Sequence, residues 1–103
     1  MEEGELMDSP DNWYVYIVKC ADDTLYTGIT MDVGRRIVEH NNDDLYGAKY
    51  TRGRRPVCLV YQELLDSRSE AARRESEIKQ LSRVEKETLI RQYPAYQGFD
   101  PLS

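Results

Sequence analysis

Residues 13–40 read WYVYIVKCADDTLYTGITMDVGRRIVEH, and this stretch decides the fold. Residues 13–20 are β-branched and aromatic with apolar residues on both alternating faces, which predicts an interior strand covered on each side. A turn is predicted at 21–23, and TLYTGIT at 24–30 predicts a second strand, so the two strands form an antiparallel hairpin. Gly28 inside the second strand leaves room for a helix or a substrate backbone to approach closely.

A helix is predicted directly after the hairpin, over about 33–41, with Asp32 as its N-cap. Val33 and Ile37 form the stripe that faces the core. Arg36 and His40 are four residues apart, so they lie side by side on one face of this helix. The hairpin and the helix therefore bring tyrosines, an arginine and a histidine into one short unit.

The remaining chain predicts a third strand and two more helices. NNDDLYGAKYTRGRR at 41–55 is a long loop without periodicity, which is typical of a binding loop, and VCLVYQELL at 57–65 predicts the strand. The motifs Ser67-x-x-Glu70 and Ser82-x-x-Glu85 are capping boxes that open helices over about 68–81 and 83–92. The predicted fold is α/β (more narrowly α+β), a small three-stranded antiparallel sheet flanked by helices.

Glu75 occupies an unusual position in the first of these two helices. Ala71 and Ile78 mark the buried stripe of the helix, and Glu75 lies within that stripe. An inward carboxylate is costly unless it is paired or bound to a cation. The sequence leaves two interpretations open, a metal ligand or an ion pair with an arginine such as Arg36. In the last helix, Val84, Leu89 and Ile90 are the predicted packing residues.

The charge of the chain is unevenly distributed. The formal net charge is −5, and five of the 19 acidic residues precede Asn12, a segment without Lys or Arg. We therefore divide the chain into a disordered acidic leader (1–11), one folded domain (12–92) and a C-terminal tail (93–103). An acidic average argues against indiscriminate coating of duplex DNA, since phosphate affinity scales with the counterions displaced. KYTRGRR at 49–55 is nevertheless locally basic.

This basic patch is the predicted nucleic-acid surface, with a solvated loop as the alternative. An aromatic side chain within it is suited to stacking on a base or a sugar. Its predicted binding residues are Lys49, Tyr50, Arg52, Arg54 and Arg55.

Several classes of protein and site are disfavoured. The sequence has no signal peptide and no run of the roughly 20 apolar residues that cross a bilayer, so a cytoplasmic protein without membrane contact is expected. Cys20 and Cys58 lie outside any metal-binding or redox motif and are predicted to be small buried thiols. A single histidine disfavours a His-rich zinc site. Neither a phosphate-binding glycine loop nor a nucleophile elbow is present.

The residues that remain fit metal-assisted hydrolysis of a phosphodiester, although strand tyrosines and an Arg/His pair are more often core or solvated residues. A hard cation prefers oxygen ligands and keeps several waters, so one carboxylate and a substrate phosphate suffice to hold it. An arginine stabilises the charge that develops on the phosphate, and a tyrosine of raised acidity accepts a proton from water.

The sequence resembles the GIY-YIG nuclease domain, in particular its small stand-alone bacterial members. The two name-giving motifs are matched by YVY at 14–16 and YTG at 26–28, and SEAARRESEIK at 69–79 matches the helix of the family's glutamate. The resemblance covers about residues 12–92. At the first motif, Tyr14 and Val15 replace the glycine and isoleucine of the family name.

The resemblance implies a role for each of five residues. Tyr26 would be the general base or water-positioning group, and Tyr16 would contact the water or the phosphate, although the choice of base between them stays open. Arg36 would hold the phosphate, and His40 would support the phosphate or a tyrosine. Glu75 would be the sole protein ligand of one divalent ion, Mg²⁺ or Mn²⁺.

The activity that the resemblance implies is a metal-dependent DNA endonuclease in repair or recombination, acting on branched, damaged or single-stranded DNA. Two alternatives are a nucleic-acid-binding module with the same fold but little turnover, and a protein-interaction domain. Larger members of the superfamily add a separate domain for target choice. Because this sequence has no room for one, we expect weak or structure-based selectivity by the protein alone, or a protein partner that directs it.

Overall fold

The computed structural model describes residues 12–93, which form a three-stranded antiparallel sheet and four helices. The predicted leader, and the predicted tail beyond residue 93, lie outside the described residues. The predicted fold class is confirmed. The elements in chain order are β1 (Trp13–Lys19), β2 (Leu25–Thr30), α1 (Val33–Asn42), α2 (Lys49–Arg52), β3 (Cys58–Leu65), α3 (Arg68–Lys79) and α4 (Arg83–Arg91).

Strand β1 is the central strand of the sheet, as its apolar composition predicts. The strand order is β2-β1-β3, and both neighbours run antiparallel to β1. Four consecutive residues of β1, 15–18, are at most 1% exposed. The register places Tyr16 opposite Gly28 on β2 and opposite Gln62 on β3. Tyr16 therefore lies at the centre of the sheet.

Two separate apolar clusters cover the two faces of the sheet. Val15 and Ile17 pack with β3 residues and with Ile78 of α3, and α4 adds side chains at the margin of this cluster. Tyr16 and Val18 belong to the second cluster, against which Ile37 of α1 packs. Alternate residues of one strand thus contact different helices, so the two faces of β1 are both buried.

The helix boundaries follow the predicted caps. Asp32 accepts a hydrogen bond from Arg35 N at 3.1 Å, and Ser67 accepts one from the backbone of its helix. Ser82 and Glu85 form the complete capping box. The last two helices end one or two residues earlier than predicted.

Three local expectations are wrong or incomplete. Val84 is 68% exposed, so it does not pack as predicted. Cys20 is buried but Cys58 is exposed, although both are free thiols. The segment predicted as an irregular loop contains the short helix α2. Within residues 12–93, no helix is both long enough and apolar enough to cross a membrane.

Side chains fix the long connection between α1 and β3. Asn41 donates to Val57 O at 3.0 Å and accepts from Val57 N at 2.7 Å, which joins the two ends of the connection. The Arg55 guanidinium donates to His40 O at 2.6 Å and to Asp43 O at 2.9 Å, and it pairs with Asp44 at 2.8 Å. These bonds hold α2 beside α1 and give the connection a defined conformation.

The close approach predicted at Gly28 is made by Tyr16. A Cβ at position 28 would lie 2.6 Å from Tyr16 Oη and 2.9 Å from Tyr16 Cζ. Because Tyr16 is buried, we expect Gly28→Ala to lower the free energy of unfolding by about 1–3 kcal/mol, measured by urea denaturation. Gly53→Ala is the matched control, since nothing lies within 4 Å of its Cβ. Equal effects of the two variants would contradict the assigned role of Gly28.

Candidate active site

The centre of the site is a buried hydrogen bond between strand β1 and helix α1. Tyr16 Oη lies 2.7 Å from His40 Nε2, and the two residues are 1% and 0% exposed. The helix cap at Asp32 fixes where α1 begins, and Ile37 packs the helix onto the sheet. His40, two turns after the cap, therefore points at the middle of β1.

Thr51 sets the tautomer of His40. The other ring nitrogen, His40 Nδ1, lies 2.9 Å from Thr51 Oγ1, and this hydroxyl donates its own proton to Ala48 O at 3.0 Å. Thr51 Oγ1 must therefore accept from His40 Nδ1, which places the ring proton on Nδ1. His40 Nε2 is then an acceptor, and the Tyr16 hydroxyl donates to it. Sequence reasoning missed Thr51, because a threonine in a basic loop gives no signal of burial.

Burial moves the pKa values of both partners away from the physiological range. Desolvation, followed by the nearby Tyr26, raises the pKa of Tyr16 to about 12, while Arg36 acts in the opposite direction. Desolvation, followed by the positive charge of Arg36, lowers the pKa of His40 to about 4. At neutral pH the pair therefore consists of a protonated tyrosine and an uncharged histidine.

Arg36 is held in one orientation beside this pair. Its Nη1 donates to Glu39 Oε1 at 2.8 Å and to Tyr46 O at 2.6 Å. Burial acts to lower the pKa of Arg36, but hydrogen bonds to Glu39 and Tyr16 outweigh it and leave the pKa above its ordinary value. The side chain is 24% exposed, so this fixed cation remains accessible to a ligand.

Tyr26 is the more accessible of the two candidate tyrosines. Its ring meets the His40 ring edge to face, with centroids 5.3 Å apart, and stacks on Tyr50 at 5.7 Å. Arg54 Cζ lies 4.0 Å from the centroid of the Tyr50 ring. Tyr26 is partly exposed, whereas Tyr16 is buried with its proton engaged by His40. Of these two tyrosines, Tyr26 is therefore the one that contacts solvent.

Glu75 lies at the edge of the site on α3. Its carboxylate is 23% exposed and pairs with Lys79 Nζ at 3.1 Å, one turn along the same helix. Its negative charge is near enough to contribute to the raised pKa of Tyr16, for which desolvation is the main cause. The predicted arginine alternative is not observed, since the acidic partner of Arg36 is Glu39.

The donor set suits a hard cation bound mainly by water and phosphate. Among residues 12–93, no group of three or more His, Cys, Asp or Glu side chains is arranged to hold a metal ion. A single carboxylate such as Glu75 nevertheless fits Mg²⁺ or Mn²⁺, which keep waters and take further oxygen ligands from a substrate. Lys79 would have to release Glu75 for this, and an exposed pair of this kind is weak.

The five predicted nucleic-acid-binding residues divide into two groups. Lys49 and Arg52 on α2 are exposed and make no ion pair within the described part of the chain. Arg54 pairs with Asp22 at 3.0 Å, and Arg55 bonds to backbone oxygens. Tyr50 is 39% exposed and already contacts Tyr26 and Arg54. The unpaired charge of the basic patch therefore resides on α2.

Residues 12–88 match the GIY-YIG catalytic domain family. The chain belongs to the GIY-YIG family. A UPF0213 protein of Desulfotalea psychrophila is 61% identical over 79 residues, which cover 77% of this chain and 71% of that relative. A UPF0213 protein of Halobacterium salinarum is 60% identical over 77 residues, covering 75% of this chain and 97% of the relative.

A solved structure agrees with these relationships. The solution NMR structure of a UPF0213 protein from Bacillus halodurans has 51% sequence identity and a TM-score of 0.51, and covers 79% of this chain and 84% of that one. The matches thus cover most of this GIY-YIG protein and most of each of these relatives. The family's nuclease fold accounts for the sheet and helices described above.

His40 is the one histidine of the chain, so its protonation can be followed without overlap from another imidazole. His40 has a pKa of about 4 when folded and 6.5 otherwise, so between these values the unfolded chain binds more protons. We therefore expect the contribution of His40 to stability to be fully present above pH 6.5 and to be lost as the pH falls towards 4, a change of on the order of 3 kcal/mol. An NMR titration of the His40 ring checks the cause directly. A midpoint near 6.5 would contradict it.

Thr51→Val tests the hydrogen bond that fixes the tautomer. The substitution keeps the side-chain shape but leaves His40 Nδ1–H buried without an acceptor, which costs about 1–3 kcal/mol. Thr51→Ser keeps the hydroxyl and is the matched variant, so we expect it to unfold at higher urea concentration than Thr51→Val. The opposite order would show that Thr51 contributes through its methyl group alone.

Proposed function

We propose that this GIY-YIG protein is a divalent-metal-dependent endonuclease that hydrolyses DNA phosphodiester bonds. The observation that carries the proposal is the clustering of Tyr16, Tyr26, Arg36 and His40 around one hydrogen-bonded centre. Glu75 adds a carboxylate whose charge affects Tyr16. These groups supply a fixed cation, an accessible phenol and an oxygen ligand within one site.

Arg36 binds the phosphate that is cleaved. Its orientation is fixed by Glu39 and Tyr46 O before any substrate arrives, so little reorganisation is needed when negative charge develops on the phosphate oxygens. A preorganised charge of this kind stabilises the transition state more than the ground state. The raised pKa of Arg36 keeps it cationic throughout.

Tyr26 orients the attacking water, and the Tyr16–His40 pair supports it. Tyr26 combines partial exposure with a ring fixed between His40 and Tyr50. The buried hydroxyl of Tyr16 donates to His40 and is hydrogen-bonded to Arg36, so it fixes the positions of these two side chains relative to each other. This assignment favours Tyr26 as the residue that handles the water and its proton.

Glu75 is the residue that would hold the cation, with water and substrate oxygens completing its coordination. When bound, Mg²⁺ or Mn²⁺ supplies Lewis-acid stabilisation of the leaving oxygen. Lys79 neutralises Glu75 in the free protein and lies one turn away. Lys79 therefore has to release the carboxylate when the cation binds.

A nucleic-acid-binding module with little turnover is the second candidate. The ion pair between Glu75 and Lys79 favours it, because a persistent pair would keep the carboxylate from a metal. The exposed cations Lys49 and Arg52 serve binding equally well in either case. A role in repair or recombination, a targeting partner and a cytoplasmic location stay predictions from the sequence.

The test is a cleavage assay on linear, single-stranded and branched DNA with Mg²⁺ or Mn²⁺. We expect Glu75→Gln and Tyr26→Phe each to reduce the cleavage rate by about 100-fold or more, the usual effect of losing a general base or an electrostatic stabiliser. Glu77→Gln is the matched control, since this exposed neighbour pairs with Arg74, and its rate should change by less than about twofold.

Binding and folding are measured in the same samples by fluorescence anisotropy of labelled DNA and by circular dichroism. Cleavage that survives Glu75→Gln would overturn the assigned metal ligand. DNA binding without cleavage in the wild-type protein would establish the second candidate instead.

A further inference from the structure

A cavity of about 430 Å³ lies beside the candidate active site, where β1 and α3 begin and β2 leads into α1. Its volume falls in the range of about 300–1,000 Å³ found for small-ligand sites. One arginine, Arg36, both lines this cavity and contacts the Tyr16 pair. The cavity therefore shares Arg36 with the candidate active site. Its lining includes Trp13, Ile29, Met31, Arg35, Arg36 and Arg68.

The cavity has a surplus of positive charge. Arg35 and Arg36 share one acidic partner, Glu39, at 3.2 and 2.8 Å. The carboxylate of Asp32 also lines the cavity, but it accepts a hydrogen bond from the α1 backbone as the helix cap. Within residues 12–93, Arg68 makes neither a hydrogen bond nor an ion pair, and its one assigned contact is with Trp13. Its guanidinium donors are thus available to an anion.

Trp13 gives the cavity an aromatic wall. Arg68 Cζ lies 5.4 Å from the centroid of the Trp13 ring, whereas the corresponding Arg54–Tyr50 distance is 4.0 Å. The looser contact means that a ligand can take the place of the guanidinium over the ring at little cost. A partly exposed indole next to an unpaired arginine is a combination that can bind a planar base and its phosphate.

We propose that this cavity binds one unpaired nucleotide of the strand that is cleaved, adjacent to the scissile phosphate. The base stacks on Trp13, and the nucleotide's phosphate is held by Arg68 with Arg35. A base inside a duplex has both faces covered by its neighbours, so only an unpaired or displaced base can reach the indole. The substrate class is therefore DNA with a single-stranded nucleotide next to the cut. The position relative to the cut rests on the proposed function.

The chain contains one tryptophan, so its fluorescence reports on this cavity alone. The experiment titrates the full-length protein with a short single-stranded oligonucleotide in EDTA, where metal-dependent cleavage does not occur. Anisotropy of the same oligonucleotide, labelled, measures total binding. We expect saturable quenching of Trp13 with the same midpoint as the anisotropy, and binding of a blunt-ended duplex of the same sequence about tenfold weaker.

Arg68→Ala tests the contact while leaving the fluorophore in place. We expect it to weaken single-strand binding about tenfold, as for the loss of a charge-assisted contact to phosphate. Arg73→Ala is the matched control, because Arg73 is exposed on the same helix, pairs with Glu70 and does not line the cavity. Its affinity should stay within about twofold of wild type. Thermal unfolding by circular dichroism verifies that both variants are folded.

Three outcomes would overturn the inference. They are oligonucleotide binding that leaves Trp13 fluorescence unchanged, equal losses in Arg68→Ala and Arg73→Ala, and equal affinity for the blunt-ended duplex and the single strand. The result is separable from the cleavage assay. Cleavage with a silent Trp13 would retain the proposed function and remove the cavity as a nucleotide site. Quenching of Trp13 without cleavage in Mg²⁺ or Mn²⁺ would retain the cavity as a nucleotide site and remove the proposed function.

Discussion

The hydrogen bond between Tyr16 and His40 is the interaction on which the rest of the site depends. It links the central strand to the helix that carries Arg36, across a distance of 24 residues in the sequence. Both partners are excluded from water, so each must have its polar atoms satisfied within the protein. That requirement explains two residues without chemistry of their own. Gly28 leaves space for the phenol, and Thr51 accepts the hydrogen bond from the one N–H of the imidazole.

The need to satisfy the buried polar atoms of His40 also constrains the connection between α1 and β3. Thr51 can meet His40 only if α2 is held against α1, and Arg55 and Asn41 supply the bonds that hold it there. Arg55 thus has a structural task although it belongs to the basic patch. A half-satisfied buried network would be worse than an apolar core, so the network and the loop conformation stabilise each other.

The sequence predicts those features that arise from periodicity and capping. Its apolar composition identifies β1 as the central strand, and Asp32 and Ser82 mark helix starts. Features set by tertiary contacts are not predictable in this way. The sequence around Thr51 is typical of a solvated loop, and Thr51 is buried only because α2 packs against α1. Val84 has the composition of a packing residue, but it lies on the exposed face of the first turn of α4.

The positively charged residues of the described chain fall into two groups. Most arginines are engaged in ion pairs or backbone bonds, and these stabilise loops and helices. Lys49, Arg52 and Arg68 make no ion pair within residues 12–93. Arg36 connects them, since it bonds to the segment leading into α2 and also lines the cavity next to Arg68.

A strand of nucleic acid bound at Arg36 as we propose would therefore have unpaired cations nearby, at Arg68 and on the segment that follows Tyr46. Phosphate contacts of this kind position a strand without reading its sequence. Selectivity would then come from the shape of the nucleic acid, and in the nucleotide site that we propose Trp13 is the residue that would distinguish an unpaired base from a stacked one. In this proposal, the residues that select the nucleic-acid structure are among those that surround the candidate active site.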